Sequence, residues 1–150
     1  MKRFRFRLEP VLDFKTQALD VLQNELNTVQ AQVAAQERMV EEAYRRISDY
    51  DAECTERKMQ GMTITEMLEA EACQQVLQRR ARLEEDKLSR IRQLAEAKRN
   101  EVVEARKETH SLEKLKSIRK NEYDTAIFKA EEKSLEDLTA ARRALSSAAG

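Results

Sequence analysis

Apolar side chains recur at alternating steps of four and three along the first third of the chain. The series is Leu8, Leu12, Lys15, Leu19, Leu22, Leu26, Val29, Val33, Gln36, Val40, Ala43, Ile47, Tyr50 and Cys54. Twelve of these fourteen positions are apolar, against roughly six for a chain of 41% hydrophobic content. A mean step of 3.5 residues keeps one stripe of a slightly underwound helix turned toward a partner helix, the packing of a left-handed coiled coil. A second ladder runs through Met67, Ala70, Gln74, Leu77, Ala81, Glu84, Leu88, Ile91, Ala95, Lys98, Val102, Ala105, Thr109 and Leu112, with ten apolar positions of fourteen. After Leu112 the register is expected to slip, because Leu112, Leu115 and Ile118 follow at steps of three, before Leu135, Leu138 and Leu145 resume sparse heptad spacing.

One break separates the ladders, at Lys58 to Thr65, where Gly61 is the only glycine before Gly150. Thr63 and Glu66 have the spacing of a capping box, and Met62 and Met67 fall at the two positions of a hydrophobic staple, so a second helix is expected to start at Ile64. Pro10 suits the first turn of a helix, where its missing amide proton costs nothing. The expected order is an arm over 1–8, helix one over about 9–58, a turn over about 59–63 and helix two over about 64–145. A short turn between two helices makes them antiparallel neighbours. The predicted fold class is therefore all-α, a single antiparallel coiled-coil hairpin in which Leu8 falls near Leu115. At 1.5 Å per residue helix one spans about 70 Å and helix two about 120 Å, so the end of the longer helix overhangs.

Composition supports long helices. The chain has 37% charged residues, two glycines, one proline and no tryptophan among 150 residues. Lys plus Arg and Asp plus Glu balance at 28 each, so no global field draws the whole chain to nucleic acid or membrane. The exception is local: Lys2, Arg3, Arg5 and Arg7 stand in the first seven residues with no acid among them. No apolar run of signal-peptide or membrane-spanning length follows, which points to a cytoplasmic protein. Cys54 and Cys73 make no zinc spacing and read as reduced packing residues of that compartment, with a Cys54 to Cys73 approach across the hairpin as the alternative.

Outside the seam, Glu41 with Arg45, Glu42 with Arg46, Glu53 with Arg57 and Asp86 with Arg90 stand at i, i+4, each such pair worth about 0.2 to 0.5 kcal/mol to a helix. The cluster Arg79, Arg80 and Arg82 is offset by Glu84, Glu85 and Asp86, and no aromatic side chain interleaves for base stacking. Catalysis has no foothold: His110 is the only histidine, no glycine loop can cradle phosphate, and a helix pair encloses no pocket. No catalytic residue, metal ligand or cofactor site is expected.

Phe4, Phe6, Leu8, Val11, Leu12 and Lys15 spell F-x-F-x-L-x-x-V-L-x-x-K. Together with the length and the hairpin, this resembles the FliJ family of flagellar export proteins. Leu112 to Lys116 with Tyr123, and Glu132, Lys133, Leu135, Glu136 and Asp137, are similar to that family's C-terminal charged stretch, although the acidic pair reads Glu-Asp where Asp-Glu is commoner.

The resemblance implies a non-enzymatic stalk of the type III export apparatus, bound to a hexameric export ATPase ring and to the cytoplasmic domain of the export gate. It also implies assistance to export chaperones and a place peripheral to the membrane at most, with no nucleic-acid partner. The candidate partner-binding residues are Arg3, Phe4, Arg5, Phe6 and Arg7 on the arm and Leu115, Ile118 and Tyr123 on helix two. The bland reading of the arm is a frayed segment capping the open end of the seam. A virulence-type secretion stalk, a generic scaffold coiled coil and an anionic-surface binder acting through the arm are the alternatives.

Overall fold

Pro10 and Gly61 bracket the first helix as their backbone chemistry requires. A computed structural model describes residues 2–150, with Met1 of the expected arm outside the described residues. It contains α1, Glu9–Gln60, and α2, Ile64–Ala148, and no strand among those residues. Pro10 sits in the first turn of α1, where no helical hydrogen bond is asked of its nitrogen. Glu9 in the first turn and Arg57 and Lys58 in the last oppose the helix dipole at both ends.

α1 runs two residues beyond the expected 58, which narrows the turn to residues 61–63. Gly61 then takes a φ of 103°, a region that disfavours side chains, and its amide bonds the Lys58 carbonyl at 3.3 Å. The capping box forms as the spacing predicts. The Glu66 amide donates to the Thr63 hydroxyl at 3.2 Å, and the Thr63 amide donates to the Glu66 carboxylate at 3.1 Å.

The chain divides into two compact units. In the unit Asp20–Glu104 the helices run antiparallel, shown by contacts whose partners advance in opposite directions: Glu25 with Lys98 at 2.8 Å, Gln36 with Glu84 at 3.0 Å, and Asp51 with Gln74 at 2.6 Å. Its core is a thin seam of Leu26, Val29 and Ala43 from α1 against Ala70, Ala81, Leu88 and Val102 from α2, all buried. The outer faces stay wet, as a two-helix layer requires. Near the turn, the Tyr50 phenol is pushed up to about 12, chiefly by a hydrogen bond with the Cys54 thiol, with burial and Cys73 adding to it. Both cysteines are free.

The other unit is formed by Met1–Leu19 and Ala105–Gly150. It is antiparallel too, with Lys15 paired to Glu108 at 2.6 Å and Glu9 to Lys116 at 2.8 Å. Leu12 and Thr109 are its buried residues. Here the structure corrects one expectation. The half-buried positions after Thr109 are Leu112, Leu115, Lys116, Tyr123 and Ile127, whereas Ile118 is 46% exposed. Leu112 and Leu115 keep the step of three, but the next covered positions are Lys116 and Tyr123, and Ile118 is not among them. Sequence reading followed the apolar Ile118 because the true rungs are a lysine and a tyrosine, whose long side chains bury their stems and keep their polar tips paired. From Phe128 to Gly150 every residue is exposed.

Candidate partner-binding site

Residues 2–6 of the arm carry no regular secondary structure, a turn at Arg7 and Leu8 leads into α1, and the arm's side chains alternate in exposure. Phe4 and Phe6 are half-buried, whereas Lys2, Arg3, Arg5 and Arg7 are exposed and Leu8 is at the border. A period of two turns successive side chains of an extended chain to opposite sides. One side of the arm therefore meets α2 and the other carries guanidinium groups into solvent.

Two contacts on Tyr123 hold the far end of the arm. The Phe4 ring packs on the Tyr123 ring with centroids 5.5 Å apart and planes tilted by 46°, a favoured aromatic geometry. The Tyr123 hydroxyl donates to the Lys2 carbonyl oxygen at 2.5 Å. At the near end, the Glu9 amide donates to the Phe6 carbonyl at 3.1 Å, and the Glu9 carboxylate takes Lys116. Contacts at both ends thus hold the arm against α2.

Between arm and helix runs a groove lined by Lys2 to Leu8, Leu115, Arg119 and Tyr123. Its floor is aromatic and aliphatic, and its rim is basic. Of the residues singled out from sequence, Arg3, Phe4, Arg5, Phe6, Arg7, Leu115 and Tyr123 come together here. Ile118 does not line this groove; it borders a separate shallow depression with Asn121, Glu122 and Thr125.

Sequence reading overlooked Arg119, which lies four residues from both Leu115 and Tyr123 and so shares their helix face. Glu9, Lys116 and Lys2, named from the sequence for other reasons, also hold the arm. The helical spacing carried a signal for Arg119, while the Lys2 contact is made by a backbone carbonyl and leaves no mark in residue types.

Among the described residues no group of three or more His, Cys, Asp or Glu side chains can hold a metal ion. No helix is long and apolar enough to cross a membrane. His110 is exposed. The groove combines apolar side chains with cations.

Compared with known families, residues 4–148 match the model of the flagellar FliJ protein. No curated protein and no solved structure matches the chain.

Proposed function

Because the chain belongs to the FliJ family of flagellar proteins, we propose that it is the stalk-like, non-enzymatic part of the flagellar type III export apparatus and binds a hexameric export ATPase ring. The family match over residues 4–148 carries this reading. The groove between arm and α2 is the contact surface, with Phe4, Phe6, Leu115 and Tyr123 as apolar anchors and Arg3, Arg5, Arg7 and Arg119 as the cationic rim. Ile118, exposed on α2 outside the groove, is a further contact in this reading.

Support also comes from the physical character of this unit. A stalk needs stiff helix that its own chain leaves uncovered, and α2 continues to Ala148 with all residues exposed from Phe128 onward. The cytoplasmic domain of the export gate and the export chaperones are the further partners in this reading, and the protein works in the cytoplasm at the inner face of the membrane. Its contribution to ATP hydrolysis is through the ring, since it supplies no phosphate loop of its own.

Mixing the purified chain with its cognate export ATPase tests the proposal. The chain alone is expected to release no phosphate from ATP, and the mixture is expected to exceed the rate of the ATPase alone. A mixture that equals the ATPase alone at every ratio, together with no detectable complex, overturns it.

A further inference from the structure

Six positions in the uncovered part of α2 form a stripe whose pattern reads the same in both directions. They are Phe128, Glu131, Leu135, Leu138, Arg142 and Leu145, at successive steps of three, four, three, four and three. Such steps place all six on one helix face. The four apolar members are exposed by 65%, 64%, 65% and 73% in chain order, and Glu131 and Arg142 are exposed as well.

The stripe is no continuation of the intramolecular seam. Stepping on from Tyr123 and Ile127 at seam spacing leads to Ala130, Ser134 and Asp137, which face a different side of the helix. One residue of offset is about 100° of rotation in an α-helix.

We infer that this stripe pairs antiparallel with the same stripe of a second copy of the chain. The two-fold axis passes between Glu136 and Asp137. Phe128 then meets Leu145 of the other copy, Leu135 meets Leu138, and Glu131 meets Arg142, each contact made twice, as an isologous interface requires.

Charge selects both partner and direction. Parallel pairing would stack Glu131 on Glu131 and Arg142 on Arg142 at the interface, whereas antiparallel pairing converts both repulsions into ion pairs. Of the flanking Glu132, Ser134, Thr139 and Ala141 only Glu132 is charged, so the helices can approach. The overlap from Phe128 to Leu145 is about 26 Å long. An interface of that size is weak and reversible.

Sedimentation of the full chain over roughly 10 μM to 1 mM, the range in which weak interfaces populate, tests the inference without any ATPase and so independently of the function proposed above. The wild type is expected to pass from monomer to dimer. Glu131→Arg and Arg142→Glu, each alone, are expected to raise the dimer dissociation constant at least tenfold with unchanged helicity, since both positions are exposed.

An equimolar mixture of the two variants is expected to restore the dimer, because every cross-pair is again opposite in charge. A wild type that stays monomeric throughout overturns the inference and leaves the stripe to a different partner. Dimers of either single variant as tight as wild type, or no recovery on mixing, overturn it as well.

Discussion

The Gln36 side-chain amide donates both to the Glu84 backbone carbonyl, at 3.0 Å, and to the Glu84 carboxylate, at 2.5 Å. Each is a polar residue on a mostly apolar ladder, and each satisfies the other across the seam. Apolar contacts tolerate sliding by a heptad, whereas these bonds form at one alignment only. The pair therefore fixes register in the unit that contains it.

That bond gives the seam an acid-sensitive point. The Gln36 hydrogen bond holds the Glu84 carboxyl below its ordinary 4.5, aided by Lys87 and Arg80 and opposed by burial. A carboxyl whose folded pKa lies below its unfolded one contributes fully above the unfolded value. The contribution drains as pH falls through the folded value. Gln36→Leu is expected to return the Glu84 titration toward its ordinary position in a carboxyl-resolved NMR titration. It should also reduce the steepness with which melting temperature falls below pH 4.5. A titration curve identical to wild type would assign the depression to the neighbouring cations.

Leu26 is 6% exposed and Phe14 is 68% exposed, although both are large apolar residues of α1. Leu26→Ala is expected to cost about 2 kcal/mol, the low end for a buried leucine because the surrounding layer is thin. Phe14→Ala is expected to stay within about 0.5 kcal/mol of wild type. Urea unfolding followed by circular dichroism measures both.

The turn separates backbone strain from crowding. A Cβ built on Gly61 meets no atom within 4 Å, yet the φ of 103° is unfavourable for any side chain. Gly61→Ala is expected to destabilise by about 1 to 2 kcal/mol from conformation alone. Thr63→Ala removes the hydroxyl that caps Glu66 and is expected to cost about 1 kcal/mol. Replacing Thr63 with Ser is expected to recover most of that loss.

Arm docking and the proposed partner binding are expected to respond to different changes. Tyr123→Ala removes both the ring against Phe4 and the hydroxyl on Lys2, so trypsin is expected to cut after Arg3 and Arg5 faster than in wild type at unchanged global melting temperature. The double change Phe4→Ala and Phe6→Ala is expected to weaken binding to the export ATPase at least about tenfold, as loss of buried aromatic anchors does. Reversing Arg3, Arg5 and Arg7 to glutamate is expected to act on association rate and on salt dependence. Isothermal titration and stopped-flow mixing distinguish the two.

The ladders, the Gly61 break and the Thr63 capping box made two antiparallel helices legible from the chain alone, because each depends on side-chain periodicity or on one residue's local backbone preference. Residue order likewise placed the basic arm and the Leu115 region at the same end of the hairpin. Distances between chain segments settled what order left open.

Only the packed structure replaced Ile118 by Lys116 and Tyr123 on the seam, since burial of a long stem beneath a paired polar tip looks polar in a hydropathy pattern. Only the structure showed that Tyr123 holds Phe4 and Lys2, because one of those bonds ends on a backbone carbonyl that every residue possesses. The ion pairs of Glu25 with Lys98 and of Glu37 with Arg92, both at 2.8 Å, belong to the same class. Their partners lie dozens of residues apart, and the fold brings them within reach only after the seam has set the register.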